Sequence, residues 1–144
     1  MAPAIDFSMS AEVSETPNEH RWTLAGHRIT QLSLDLGSFR LLTWTLDASA
    51  EVRLAVPFTF REPDAIERTI DPEEPEQFSP LLSLLGRTIE LLVVTRHGEL
   101  TLAFGDGSSL RVLPHPRFAA WEVQGGGALE GMSYLGEPGG GAPW

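Results

Sequence analysis

The residues best suited to chemistry in this sequence are four histidines, because imidazole can act both as a metal ligand and as a general base. They are His20, His27, His97 and His115. No two of them have the four-residue spacing that places metal ligands on one face of a helix, and the chain has no cysteine. The sequence therefore predicts no metal site, no cofactor and no disulfide.

Nucleophilic catalysis has no candidate residue either. All ten basic residues are arginine, so the chain has no lysine, and no serine lies in a G-x-S-x-G turn. The run from Gly105 to Ser109 is similar to a phosphate-binding loop, but it lies between two alternating stretches and lacks the lysine of such loops. We interpret it as a hairpin turn, predict no catalytic residue, and expect a protein that is not an enzyme.

Acidic residues are the first candidates for binding. The formal net charge is -10, which opposes binding to nucleic acid and to anionic membranes. Residues 61–80 contain seven acidic residues and two arginines. Within them, Glu73, Glu74 and Glu76 lie among prolines, so we predict an exposed loop. Either it is only solvated, which we favour, or it contacts a basic protein partner.

Tryptophans are the second candidates for binding, and the chain has four. Trp44 and Trp121 have the phase of buried residues in their predicted strands. Trp22 precedes the first predicted strand, and Trp144 is the last residue. These two either join the ends of the domain, which we favour, or line a binding surface.

Alternation of apolar and polar residues defines the elements that position these candidates. We predict strands at the alternating residues Leu32, Leu34, Leu36, then Leu42, Trp44, Leu46, then Val52, Leu54, Val56. A second set runs through 88–95, Leu100, Leu102, Phe104, then Leu110, Val112, and finally Trp121, Val123. Each set is typical of an antiparallel meander with one buried face.

The two meanders have a similar plan. A gapless shift of 58 positions places Leu42 on Leu100, Arg53 on Arg111 and Phe60 on Phe118. Either the chain contains a duplication, or two hairpin meanders of standard length align by chance. The predicted fold is mainly β (α+β): two similar three- to four-stranded antiparallel meanders, joined by the acidic loop and one short helix, form a sandwich or a partly closed barrel.

The connector and the ends complete the predicted organisation. We expect the short helix to begin at the cap Ser79, with Pro80 in its first turn, and to end at Gly86. Residues 1–21 are predicted to be a flexible tail, 22–135 a single domain, and 136–144 a Gly/Pro-rich segment. Neither a signal-peptide pattern nor a membrane span is present, so we expect a cytoplasmic protein.

Several short motifs resemble a family of small β-rich bacterial proteins, mainly from actinomycetes, that is known only as a domain of unknown function. The motifs are W-x-L-x-G from Trp22, Pro80-Leu81-Leu82, the run from Gly98 to Gly107, A-W-E-V from Ala120, and the ending from Pro138 to Trp144. The resemblance implies a β-rich fold and brings no activity, substrate or catalytic residue. In size and composition the chain is also loosely similar to immunity proteins, which bind and block a toxin.

The sequence leaves three functions open besides the enzyme that we rank last. The first is a protein-binding domain, with an immunity-type inhibitor as its specific form. The second is a small-molecule-binding domain with a pocket between the two meanders. The third is a structural homodimer that forms through strand edges.

Overall fold

The computed structural model describes residues 12–64 and 66–141. In these residues the strands are β1 (Glu12–Glu15), β2 (Glu19–Asp35), β3 (Ser38–Trp44), β4 (Ala48–Leu54), β5 (Phe58–Arg61), β6 (Glu67–Ile70), β7 (Thr88–Thr95), β8 (Leu100–Phe104), β9 (Ser109–Val112), β10 (Trp121–Gly127) and β11 (Ser133–Leu135). A 3₁₀ helix covers Pro75–Leu84. None of the helical structure in the described ranges is long and apolar enough to cross a membrane.

The strands form one continuous antiparallel sheet that folds into two layers at β2. Its order is β11-β10-β4-β3-β2-β7-β8-β9-β5-β6, and β1 also pairs with β2. The first part of β2, up to Arg28, pairs with β7, and the part from Ile29 onward pairs with β3. The register with β7 shifts between Thr23 and His27, and β2 passes from one layer to the other between Arg28 and Ile29. The predicted mainly β, sandwich-like fold is confirmed.

Apolar side chains from both layers fill the space between them. Phe39 of β3 stacks on Phe58 of β5 at a ring-centre distance of 6.2 Å and on Phe78 of the 3₁₀ helix at 5.3 Å. Trp121 of β10 is buried and donates from its indole nitrogen to the carbonyl of Gly98, 2.8 Å away. In the described part of the chain, buried apolar side chains of both layers thus form one continuous core.

The two halves of the chain repeat one five-strand plan and exchange their last hairpins. In the first half, the meander β2-β3-β4 is followed by the hairpin β5-β6, which pairs with β9 of the second half. In the second half, the meander β7-β8-β9 is followed by the hairpin β10-β11, which pairs with β4 of the first half. Each meander is therefore extended by the hairpin of the other.

The pairing register shows which residues of the halves correspond. In the β3-β4 hairpin Phe39 pairs with Leu54, and in the β8-β9 hairpin Leu100 pairs with Val112. Leu100 therefore corresponds to buried Phe39, and the predicted match with Leu42, which points to the outer face, is wrong. The shift of 58 positions does hold for β4 and β9, where it places Leu54 on Val112.

A difference in turn length causes this change of register. Leu41 and its partner Val52 are eleven residues apart, whereas the corresponding Leu102 and Leu110 are eight residues apart. One gapless shift therefore cannot align both strands of the β3-β4 hairpin with those of the β8-β9 hairpin. The predicted match of Phe60 with Phe118 fails too, because Phe60 is buried in β5 whereas Phe118 is 61% exposed outside the strands.

Several predicted core residues are exposed instead, on the outer face of a strand or in a turn. Trp44 is 62% exposed, and Leu34, Leu36 and Leu46 are exposed as well. The buried face of β3 carries Phe39, Leu41 and Thr43. Because side chains alternate along a strand, choosing the wrong phase moved the whole set to the wrong face.

The predicted boundaries of the tail and the connector also change. Residues 12–21 were predicted to be part of a flexible tail, but β1 lies there and β2 begins at Glu19, so Trp22 lies inside a strand. The predicted acidic loop contains the strand β6. The helix begins at Pro75 rather than Ser79, because proline fits the first helical position, and the chain turns at Gly86, which has φ of 89°.

Two equivalent glycines provide a test of the repeat. Gly37 and Gly98 occupy corresponding turns with φ of 88° and 89°. A Cβ at position 98 would lie 2.7 Å from the backbone nitrogen of Gly141, whereas at position 37 the nearest atom would be Oε2 of Glu73 at 3.4 Å. We expect Gly37→Ala to cost about 1–2 kcal/mol through left-handed strain, and Gly98→Ala to cost roughly 1–3 kcal/mol more because backbone must move. Urea unfolding of both variants measures the difference, and equal losses would contradict the packing of residues 139–141.

Candidate functional site

A groove of about 530 Å³ lies between β6 and the 3₁₀ helix, and we call it the acidic groove. It is lined by Glu62, Arg68, Thr69, Ile70, Glu76, Gln77, Ser79 and Pro80. Because β6 is the last strand in the sheet order, none of the described strands pairs with its outer edge. The groove therefore runs beside a free strand edge.

The hydrogen bonds of the β5-β6 hairpin show which backbone groups face this free edge. The amide of Glu62 donates to the carbonyl of Ile66 at 2.8 Å and closes the hairpin. Hydrogen-bonded pairs alternate along an antiparallel ladder, so Arg68, which is opposite Phe60, directs its backbone groups toward β5. The N–H and C=O of Thr69 consequently point to the free edge.

Between β6 and the helix, the predicted acidic loop is reduced to residues 71–76, which run into the first turn of the helix. We keep the name acidic loop for these residues. Backbone and side-chain hydrogen bonds hold them in one conformation. The carbonyl of Pro72 accepts from the amide of Gly37 at 3.0 Å, which ties the loop to the β2-β3 turn. The carboxylate of Asp71 accepts from the amide of Glu73 at 2.9 Å, and Oε1 of Gln77 accepts from the amide of Asp71 at 2.8 Å. The loop therefore presents its carboxylates from a fixed backbone.

The carboxylates of this loop repel one another. Glu73, Glu74 and Glu76 are exposed, as predicted, and within the described residues no arginine forms an ion pair with them. The neighbouring charge of Glu76 and a hydrogen bond to it raise the pKa of Glu74, with smaller contributions from burial, Asp71 and Glu73. A positively charged ligand would relieve this repulsion.

Glu62 and Arg68 behave differently from the loop. Their side chains form an ion pair and a hydrogen bond at the mouth of the acidic groove. The guanidinium of Arg68 neutralises the carboxylate of Glu62. The excess negative charge is therefore concentrated on the helix side of the groove, at Glu76 and the rest of the acidic loop.

Trp22 lies in the interior and joins the two layers. It is 9% exposed, and its indole nitrogen donates to the hydroxyl of Tyr134 in β11 at 2.9 Å. The hydroxyl of Tyr134 is also 2.8 Å from Nδ1 of His20, whose Nε2 is 3.3 Å from the carboxylate of Glu15. Since an indole nitrogen can only donate, the hydroxyl of Tyr134 accepts from Trp22, and it is also hydrogen-bonded to Nδ1 of His20.

We call this group the Tyr134 clasp. Burial raises the pKa of the Tyr134 hydroxyl, as does the charge of Glu15, while the hydrogen bond from Trp22 lowers it. Trp22 of β2 thus joins the start of the chain to β11 near its end, and its partner is Tyr134. The predicted role of Trp144 lies outside the described residues.

The other candidates for chemistry are dispersed. His27 is buried in β2, His97 is exposed in the β7-β8 turn, and His115 packs against Phe118 at a ring-centre distance of 4.9 Å. In residues 12–64 and 66–141, no three acidic or histidine side chains are grouped to hold a metal ion. The run at Gly105 is a hairpin turn between β8 and β9, as predicted.

Sequence reasoning missed Thr69 and Gln77 of the acidic groove and the exposure of Trp44. The first two are ordinary polar residues, and only the juxtaposition of β6 with the helix brings them together. A signal for Trp44 was present, because Arg40 lies four residues before it and so shares its phase along β3. Arginine is rarely buried, so this phase indicates the outer face of the sheet.

The Tyr134 clasp leads to a stability prediction. We expect Tyr134→Phe to lower the free energy of unfolding by about 1–3 kcal/mol, because the buried indole N–H of Trp22 loses its acceptor. Denaturant unfolding measures the change, with Leu135→Ala on the same strand as a partly exposed control. In the double variant Trp22→Phe/Tyr134→Phe, the two losses should be less than additive. Additive losses would show that the hydrogen bond contributes nothing.

The repulsion at Glu74 leads to a pH prediction. A raised carboxyl pKa means that the folded chain holds the proton more tightly than the unfolded chain, so the ionised group costs stability above its pKa and not below it. We expect Glu74→Gln to raise the Tm at pH 7 and to leave it unchanged at pH 4, where the carboxyl is mostly protonated in both states. Glu137→Gln, another exposed glutamate, is the control. A gain that is the same at both pH values would exclude charge repulsion as its cause.

Comparison with known proteins supports the resemblance that the sequence motifs indicated. A search of curated proteins and a search of solved structures each found no match. The profile of a family described as "Family of unknown function (DUF6188)" matches residues 19–142. That range begins with β2 and includes both halves of the repeat, the acidic groove, and His20, Trp22 and Tyr134 of the Tyr134 clasp. The chain belongs to this family of unknown function, DUF6188.

Proposed function

We propose that the chain is a non-enzymatic protein-binding domain that holds an extended, basic segment of its partner in the acidic groove. The observation that carries this proposal is the combination of a free strand edge with an open groove of about 530 Å³ and a rim of carboxylates. Grooves beside a strand edge accept a peptide as an additional strand.

The backbone of β6 supplies the hydrogen bonds for this mode of binding. The N–H and C=O of Thr69 face the free edge, and those of Glu67 do so as well, because the two residues are two positions apart. A partner strand would pair with these groups. Alternate side chains of the added strand would then enter the groove beside Glu76 and Gln77 of the helix.

Charge selects the partner. Residues 61–80 contribute a net charge of five negative units, from seven acidic residues and two arginines. The fixed loop concentrates three of the carboxylates at Glu73, Glu74 and Glu76. A basic segment with lysine or arginine at every second position would relieve their repulsion, and the long-range attraction would raise its association rate.

An immunity-type inhibitor that covers a basic toxin is the specific form of this function that the charge fits best. Self-association through the same edge is less favourable, because it would bring two acidic loops together. A homodimer is therefore an alternative outcome of the experiment rather than a part of the proposal.

The experiment selects peptides and then maps where they bind. A phage library of random decapeptides is panned against the folded chain at low salt, and enriched peptides are titrated by calorimetry. We expect lysine or arginine at alternate positions, and an affinity that falls steeply with salt. The variant Glu73→Gln/Glu74→Gln/Glu76→Gln should weaken binding about 10-fold or more, which corresponds to roughly 1.4 kcal/mol.

Thr69→Pro separates strand addition from simple charge attraction. It removes an N–H that faces the free edge, so the fold keeps its internal hydrogen bonds while the added strand loses one. We expect it to abolish most of the binding, whereas Glu130→Gln/Glu137→Gln, at two exposed glutamates outside the loop, should change little. Selected peptides that lack basic residues, or binding that tolerates Thr69→Pro, would refute the proposal. A dimer in light scattering that Thr69→Pro dissociates would refute it too.

A further inference from the structure

A second concavity, of about 430 Å³, lies on the outer face of the layer formed by β3, β4 and β10, and we call it the Trp44 groove. It is lined by Thr30, Gln31, Leu42, Thr43, Trp44, Ser49, Ala50, Glu51, Gln124, Gly125 and Gly126. It is separate from the acidic groove, which lies at the opposite end of the strand order. Nothing proposed above assigns it a role.

The pairing register arranges the outer side chains of the Trp44 groove in two rows. Trp44 pairs with Ser49, which pairs with Gly126. Because serine is small and glycine has no side chain, the neighbouring strands leave the indole uncovered, and Trp44 is 62% exposed. Adjacent strands are about 4.8 Å apart, so the open floor beside the indole is roughly 10 Å wide. That width accommodates one six-membered ring.

The second row supplies hydrogen-bonding groups. Gln31, Leu42, Glu51 and Gln124 follow one another across four strands. The carboxylate of Glu51 lies 3.7 Å from the guanidinium of Arg40, which helps to fix its position. Together with Thr30 and Ser49, the groove offers two amides, hydroxyls and one carboxylate, and no basic residue lines it.

We propose that the Trp44 groove binds a neutral carbohydrate, with one pyranose ring stacked on Trp44. A pyranose has an apolar face of C–H groups and an edge of hydroxyls that both donate and accept. The indole of Trp44 can stack on the apolar C–H face, and the amides, hydroxyls and carboxylate of the groove can hydrogen-bond to the sugar hydroxyls. The lack of a cation in the lining argues against an anionic ligand, and the net charge of -10 does so too.

The backbone argues against a peptide at this place. β3 is paired with β2 and β4, and β4 is paired with β3 and β10, so their N–H and C=O groups have partners. An extended peptide would find no strand edge here to pair with. A ligand that binds through its own hydroxyls and an apolar ring face needs no such edge.

Gly126 keeps the groove open. A Cβ at this position would lie 2.6 Å from Oγ of Ser49, a mobile side-chain atom that can turn away, so alanine would fit the fold but narrow the floor beside Trp44. Gly126→Ala therefore narrows the groove and turns the hydroxyl of Ser49, but it removes no polar side chain.

The test is a titration with neutral hexasaccharides of glucose, N-acetylglucosamine, xylose, mannose and galactose, followed by amide and indole NMR shifts. We expect at least one sugar to shift the indole signal of Trp44 saturably, with smaller effects on buried Trp22 and Trp121. Trp44→Ala and Gly126→Ala should each weaken that sugar about 10-fold or more. The matched control is Leu36→Ala, at an exposed apolar residue of the β2-β3 turn in the same layer.

Distinct results separate this proposal from the protein-binding function. Glu73→Gln/Glu74→Gln/Glu76→Gln should leave sugar binding unchanged, because those residues line no part of the Trp44 groove. The proposal is refuted if no sugar at 10 mM shifts Trp44, or if Leu36→Ala weakens binding as much as Trp44→Ala. It is also refuted if the selected basic peptides shift Trp44 and the sugars do not.

Discussion

The exchange of hairpins between the two halves is the constraint on which the rest of the structure depends. A strand edge without a partner leaves a row of hydrogen-bonding groups unsatisfied or open to aggregation. Here β10 covers the edge of β4, and β5 covers the edge of β9. Each layer is complete only when both halves are present, so the two halves form a single folding unit.

The exchange also decides where the two halves may differ. Phe60 pairs with Arg68 in one exchanged hairpin, and the corresponding Val123 pairs with Tyr134 in the other. Tyr134 is buried and joins β11 to β2 through Trp22, whereas Arg68 is exposed and pairs with Glu62 beside the acidic groove. One hairpin therefore joins the two layers through the side chain of Tyr134, and its counterpart carries the edge that we propose binds a partner.

The strand pattern could be predicted from the sequence where one phase alone is apolar. The strand at Thr88–Thr95 and the inward residues Leu102, Leu110 and Val123 follow directly from alternation. β3 could not be assigned in this way, because Leu41 and Leu42 make both phases apolar and the partner strand decides between them. The exchange itself depends on contacts between residues far apart in the chain, which no local pattern records.

The candidate site could be predicted only in part, for a similar reason. Exposure of Glu73, Glu74 and Glu76 follows from charge and proline content, which are local properties. The acidic groove depends on β6, which covers Glu67–Ile70. Only Ile70 of this strand is buried, so alternation of apolar and polar residues does not reveal the strand. The role of Trp22 depends on Tyr134, a partner 112 residues away.

The exchanged hairpins have a consequence during synthesis of the chain. β4 ends at Leu54, but the strand that covers its edge begins at Trp121, so a ribosome makes most of the second half before the first layer can close. During that interval the emerging first half exposes the β4 edge to other nascent chains. Glu51 and Arg53 on β4 carry opposite charges on the outer face, where charged residues discourage pairing with a foreign strand. Their positions thus disfavour pairing with a foreign strand until β10 covers the β4 edge.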